Sequence, residues 1–322
     1  MARLSISLAL EHYDRHMPFV DGSVRPNGFD LRAMFVGQSG ENGGRHERML
    51  HHLEFDAAEL SLGSYVMAKA RGAALTAIPV FPRRLFSPSQ MYVNAEAGIE
   101  TPADLVGRRV ALRTFQTTLS VLAKGDLATE YGVPLEGPTW VTTAAEPVPF
   151  DPPPGVRIER LAPGRSLGEA LTSGEVAAYL SPRPPRPFLE GSPKVRRLFA
   201  DPRAEEVRYF ESTGFYPIMH VVALRQELAE QHPWLPAHLM EAFEQSKAAW
   251  SLYLNDPNWS QLAWSAYHRQ EQRALLGADP WPYGLTANRA NLERFIGYEH
   301  AQGLIPQRFA VEDLFFPTVR KT

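Results

Sequence analysis

Thr101-Pro102-Ala103-Asp104-Leu105-Val106-Gly107-Arg108-Arg109-Val110-Ala111-Leu112 packs a helix start, a helix stop and a strand into one short run. Thr101 suits an N-cap, because its hydroxyl can accept a free N–H of the first turn, and Pro102 suits the first helical position, where no donor is needed. Gly107 ends that short helix, and the apolar run of residues 109–112 reads as a strand. Residues 117–131 then carry a helical pattern stopped by Gly132, the residue that most easily adopts the left-handed cap. Working outward, the same alternation repeats. Upstream, strands are expected at residues 4–10, 30–36, 56–60 and 75–81, the last stopped by Pro82, with helices at 47–53 and 64–70. Downstream, a proline-rich excursion (147–154) precedes a strand at 156–161, a helix at 166–173 and a strand at 176–180. Strands alternating with helices predict parallel pairing and sheets covered on both faces, the α/β class.

The remainder of the chain sets the domain plan. Residues 181–187, Ser-Pro-Arg-Pro-Pro-Arg-Pro, are expected to be irregular, since proline fixes φ and removes a donor. Another strand is expected at 217–224, and after Arg225 the pattern turns helical at 236–254, 259–276 and 288–302. Two lobes follow. Residues 1–88 and 217–322 form the first, with the C-terminal helices packed on it, and residues 89–216 form the second. Trp234, Trp250, Trp259, Trp264 and Trp281 are expected to pack those helices.

Composition excludes several function classes. With 44% hydrophobic and 21% charged residues, the 322-residue chain has the make-up of a folded globular protein. A net charge of −3 gives no general attraction to nucleic acid or anionic lipid. Cysteine is absent, which removes disulfides, thiolate nucleophiles and Cys-ligated zinc. The most apolar region, 64–81, is interrupted by Lys69 and Arg71 and falls short of a membrane span. The apolar run at 4–10 is short and followed at once by Glu11, His12 and Asp14, so it reads as a strand rather than a secretory leader, and a cytoplasmic location is expected. No Walker loop, dinucleotide fingerprint or Gly-x-Ser-x-Gly elbow occurs.

Several segments carry a family resemblance. Residues 99–110 resemble the opening of the second lobe in type II periplasmic-binding-protein folds. Tyr13-Asp14-Arg15, the run from Glu54 to Tyr65, Ile78-Pro79-Val80-Phe81-Pro82-Arg83-Arg84-Leu85-Phe86, Thr213-Gly214-Phe215-Tyr216-Pro217-Ile218-Met219-His220 and Trp281-Pro282-Tyr283-Gly284-Leu285 resemble the 4,5-dihydroxyphthalate decarboxylase family. They run in order along nearly the whole chain. The resemblance implies a two-lobed fold and removal of one carboxylate from a dihydroxylated aromatic dicarboxylate, giving protocatechuate and carbon dioxide. The sequence departs from the family pattern at Glu11-His12 and in the glycine-rich stretch 37–45. Two further readings are kept: a solute-binding protein of the same fold for a small anion and, on account of these departures, a family member acting on another carboxylated ring in biosynthesis.

The reaction implied needs anion binding, a proton for carbon and a partner for a phenol, but no organic cofactor. Arg83 and Arg84 follow a strand end, where ligands of open α/β sheets sit, and a guanidinium grips a carboxylate with paired hydrogen bonds. Arg113, Gln116 and Thr117 lie between a strand and a helix start, whose free N–H groups favour an anion. His220 and His12 are candidate acids or bases that titrate near neutrality. Glu59, on a short apolar strand before Ser61 and Tyr65, is expected to have a raised pKa and to exchange protons with the ring. The set is thus His220, His12 and Glu59 for catalysis, with Arg83, Arg84, Arg113, Gln116, Thr117, Ser61 and Tyr65 binding substrate. His46, Glu47, His51 and His52 look like a metal cluster, but His51 and His52 point about 100° apart on a helix and no third ligand is evident. No metal site is assigned, although the composition leaves room for a divalent ion on His, Asp and Glu. A small aromatic carboxylate is the expected partner, and self-association into a homo-oligomer is compatible with the sequence.

Overall fold

The computed structural model describes residues 3–37 and 44–322. The glycine-rich stretch flagged above falls largely outside the described residues. The chain forms two compact units: Met1–Arg84 with His220–Glu293 and Phe309–Thr322, and Leu85–Met219 with Arg294–Arg308.

In the first unit the strands β1 (Leu4–Leu10), β2 (Phe29–Phe35), β3 (Ala57–Ser61) and β4 (Leu75–Ile78) join His220–Arg225, which is β11 in chain order. The sheet order is β2-β1-β3-β11-β4. The helix Leu62–Ala70 follows β3 at once and connects it towards β4. All residues of β3 and β4 are buried, as expected for strands covered on both faces. β1 runs parallel to β2 and β3, whereas β11 runs antiparallel to both of its neighbours. Parallel pairing is therefore only partly realised. Parallel neighbours need a crossover connection, and no such crossover ties β11 to β3 or β4, so alternation of elements does not fix its direction.

The second unit holds β5 (Met91–Asn94), β6 (Arg109–Leu112), β7 (Thr139–Thr142), β8 (Arg157–Arg160), β9 (Ala178–Leu180) and β10 (Val195–Arg197), in sheet order β10-β5-β9-β6-β7-β8. Its core gathers Tyr92, Ala111, Val141, Leu161, Leu171 and Val176. The opening turn forms as its residues dictate: Pro102–Leu105 is a short 3-10 helix, and the Asp104 carboxylate accepts the Thr101 N–H at 2.8 Å. The helix Thr118–Tyr131 closes on Gly132 at φ 67°.

Three placements differ from the sequence reading. Residues 294–308 belong to the second unit, because Tyr298 hydrogen-bonds Asp126 and Thr129 and Gln302 donates to the Val121 carbonyl. The proline-rich stretch contains a one-turn helix, Arg186–Leu189, in which Pro187 occupies the first turn, where its missing donor costs nothing. Trp259 and Trp264 are mostly exposed rather than packed, lying on the 3-10 turn Pro257–Trp259 and in the segment leading to the helix Ser265–Leu276.

Candidate active site

The register of β3 and β11 builds the centre of the site. His220 pairs with Ser61 and Val222 with Glu59, so His220 and Glu59 lie diagonally on one face of the sheet, within reach of long side chains. Glu59 is fully buried. Its Oε1 accepts a hydrogen bond from His220 Nδ1, and its Oε2 accepts the Glu11 N–H at 2.8 Å. Arg45 Nη2 stands 3.1 Å from Oε1, while Arg45 Nε donates to the Glu59 carbonyl. Burial pushes the Glu59 carboxyl up, but Arg45 and His220, aided by His16, outweigh it and hold it well below the usual carboxylate range. The expected raised pKa is therefore corrected: these partners favour the charged form of Glu59, and its carboxylate holds His220 by Nδ1. His220 itself is lowered to about 4, chiefly by burial, with Glu59 opposing.

The surrounding groups come from the same unit. Arg45 is fully buried and also donates to Glu11 Oε2 (3.0 Å) and the Val36 carbonyl (2.9 Å). His46 follows it on the helix Arg45–His52 and sets its ring edge-on to that of His220, centroids 5.0 Å apart. Tyr13 is half-buried, its hydroxyl pKa raised by burial and by Glu59. The charge of Arg83, also half-buried, bears on Tyr13, His46 and His220 alike. The result is a buried Glu–His pair bordered by two guanidiniums, a second imidazole and a phenol.

Of the residues singled out from sequence, the fold thus brings together Glu59, His220 and Arg83. Ser61 is buried beside them as the β3 residue opposite His220. Tyr65 is directed elsewhere, donating its hydroxyl to the Leu314 carbonyl. Arg84 donates to the Pro282 carbonyl (2.7 Å) and Asn288 Oδ1 (2.6 Å), which ties segments of the fold together. His12 is exposed, with its ring against Phe35 at 4.5 Å. In the second unit, Arg113 is exposed just beyond the end of β6. Gln116 is buried with its amide paired both ways to the Val148 backbone. Thr117 Oγ1 meets Ser120 Oγ at 2.6 Å. The N–H groups of Phe115 and Gln116 already hold an anion, the Glu146 carboxylate, at 2.6 and 3.3 Å.

Sequence reasoning missed Arg45 and His46 as members of the site. A signal existed for Arg45: it shares a helix face with buried Met49, one turn on, and a charge on an apolar face calls for a partner. His46 was grouped with His51 and His52, whose rings meet edge-on with centroids 6.3 Å apart. Among the described residues no group of three or more His, Asp or Glu is placed to hold a metal ion.

The chain is 36% identical, over 98% of its own length and 98% of the relative's, to a 4,5-dihydroxyphthalate decarboxylase of Comamonas testosteroni. It belongs to the 4,5-dihydroxyphthalate decarboxylase family. A decarboxylase of the same name from Pseudomonas putida is 33% identical over 67% of this chain and 84% of that protein. No family model matches the sequence. Among solved structures, the fold of this decarboxylase family member is similar to that of the periplasmic aliphatic sulphonate binding protein SsuA from Escherichia coli, with a TM-score of 0.57, 13% identity and 99% of both chains covered. It is similar also to the desulfurization enzyme DSZB, with a TM-score of 0.53, 16% identity and 99% and 98% coverage. The two-lobe class read from sequence is therefore the observed one, the type II periplasmic-binding-protein-like fold. No helix among the described residues is long and apolar enough to cross a membrane.

Proposed function

We propose that this chain decarboxylates a dihydroxylated phthalate-like acid, with 4,5-dihydroxyphthalate as substrate and protocatechuate and carbon dioxide as products. The observation that carries the reading is the buried Glu59–His220 pair bordered by Arg45 and Arg83, in a chain of this family. Direct loss of carbon dioxide from an aromatic ring would leave an aryl anion, so the ring carbon must be protonated first. His220 is held by Glu59 through Nδ1, which leaves Nε2 as its working nitrogen. Burial favours the neutral ring. A doubly charged substrate beside it raises its affinity for a proton, because an opposite charge favours the protonated form.

The steps then balance. The hydroxyl para to the departing carboxylate passes its proton to water and the ring takes on keto character. The ring carbon accepts a proton from His220 Nε2. The bond to the carboxylate breaks, its electron pair restores the aromatic ring, and carbon dioxide leaves. The hydroxyl regains its proton, and His220 recovers one from solvent, so each turnover consumes a single proton. Arg83 is assigned to the substrate carboxylates. The reading requires no organic cofactor and no metal, and it includes the expectation of a cytoplasmic enzyme.

The test is turnover of 4,5-dihydroxyphthalate by metal-stripped protein, followed as carbon dioxide and protocatechuate. His220→Gln is expected to lower kcat about 100-fold or more while the protein stays folded, the range for loss of a general acid. Tight binding without turnover by the wild type would point to a solute-binding protein instead.

A further inference from the structure

Independently of the reaction assigned above, we propose that an arm of the first unit, residues 252–276, is the surface at which a second copy of this chain docks. The helix Leu235–Tyr253 has buried residues from Leu235 to Ser246 and none beyond, so its C-terminal end leaves the body of the unit. The chain then turns through Pro257–Trp259 into the helix Ser265–Leu276, which has no buried residue at all. Contacts within the arm hold its shape. The rings of Trp250, Tyr253 and Trp259 follow one another at 5.4 and 4.4 Å, and Arg269 Nη2 donates to Asn255 Oδ1 at 3.1 Å. Lys247 meets Asp279 at 3.0 Å where the chain returns to the body. Along this arm Leu252, Trp259, Leu262, Trp264 and Tyr267 are 56–71% exposed.

Area, charge and stability together select the occupant. The five side chains expose on the order of 700 Å², taking roughly 150–250 Å² for a whole aromatic side chain. The largest apolar patch of a typical monomer is about 300–600 Å², whereas each partner in a stable interface contributes about 800 Å². The arm thus has the size of one half of a dimer. Outside it the exposed large hydrophobics, Val20, Phe35, Val106, Leu189 and Trp234, come singly along the chain, so the surface in a second copy that matches the arm is its counterpart. Contact of like on like is what a two-fold axis produces. Residues 252–279 carry two arginines against three carboxylates, which gives no attraction to an anionic lipid surface. Finally, a helix of 12 residues is marginal in water unless something packs on it, and its own chain buries none of it. The covering partner must therefore be permanent, and another copy is present whenever the chain is made.

Sedimentation equilibrium of the full chain at micromolar concentration should give a mass of at least two chains. Trp264→Glu combined with Tyr267→Glu puts charge on the arm at positions the single chain leaves exposed, so the chain should stay folded by circular dichroism. Association should weaken about 100-fold or more, the scale for losing two aromatic anchors from an interface. Amides of residues 265–276 should be protected from hydrogen exchange in the wild type and exchange freely in the double variant. Because the chain has no cysteine, Leu262→Cys supplies a single thiol for a nitroxide, and the labels of two chains should then couple. A monomeric wild type, an assembly that the double variant leaves equally tight, or uncoupled labels overturns the proposal. A monomer that binds phosphatidylserine vesicles overturns it in favour of a membrane surface.

Discussion

Glu59 shows what a single residue's surroundings decide. Alone on a buried strand it would take up a proton; beside Arg45 it stays charged, because the guanidinium offsets the cost of burial. Removing Arg45 leaves two carboxylates, Glu59 and Glu11, without their shared cation. Arg45→Met is expected to destabilise the fold by about 3–5 kcal/mol, the scale for breaking a buried ion pair from one side. A urea-unfolding midpoint measures it, and adding Glu59→Gln should restore much of the loss, since the stranded charge is then gone. A midpoint for Arg45→Met within error of wild type would sink the idea. At this scale the sequence was informative about position and uninformative about charge state. Glu59 and His220 were readable from an apolar strand and a matching segment. The cation that sets their protonation lies on a different element and is named by no local pattern. His46 was hidden for a similar reason, since its neighbours in sequence, His51 and His52, suggested a grouping that the helix does not make.

Among the elements, the helix Thr118–Tyr131 is the clearest case of local rules and packing acting together. Thr117 and Gly132 bound it as sequence suggests, but Gly125 in its middle is a poor helix former, and its reason lies outside the helix. A Cβ at Gly125 would fall within the ring of Tyr298, and that ring is pinned at its hydroxyl, which donates to Asp126, accepts from Arg294 Nε and meets Thr129 Oγ1. Gly125→Ala therefore gains roughly 1 kcal/mol of helix propensity and loses about 1–3 kcal/mol to overpacking. Net destabilisation is expected, visible as a lowered Tm; a raised Tm would show that the ring can give way. Strand positions were legible wherever alternation or a buried apolar run marked them, as in β1, whose bounds match. The helix Pro202–Thr213 passed unread because its sequence is mostly polar, with Tyr209 as its buried residue. The direction of β11 was equally hidden, since its partners are set by long-range pairing.

Taken as a whole molecule, the chain changes units after Arg84 and again after Met219, close to the places where its sequence changes character. The short segment 294–308 was misplaced because its allegiance depends on a few side chains, Tyr298 and Gln302 among them. Two buried groups, one in each unit, should answer pH in opposite senses. In the first, burial lowers His16 from its ordinary 6.5 to about 4. The unfolded chain then holds a proton that the fold refuses, so this contribution, roughly 3 kcal/mol, is present above pH 6.5 and lost as pH falls towards 4. In the second, burial raises Asp126 from 3.8 to about 7, against hydrogen bonds from Ser87, Tyr209 and Tyr298. Its contribution is present below pH 3.8 and lost as pH rises through 7. NMR titration should find His16 well below its ordinary 6.5 and Asp126 well above its ordinary 3.8; ordinary values at either group would refute this. The antiparallel insertion of β11 has a consequence for biosynthesis. A ribosome finishes β4 at Ile78 and reaches His220 only 142 residues later (220 − 78), an interval of roughly 10–30 s at ordinary elongation rates. Until then β3 and β4 have no strand between them, and the nascent chain must shelter two raw edges in the crowded space outside the exit tunnel.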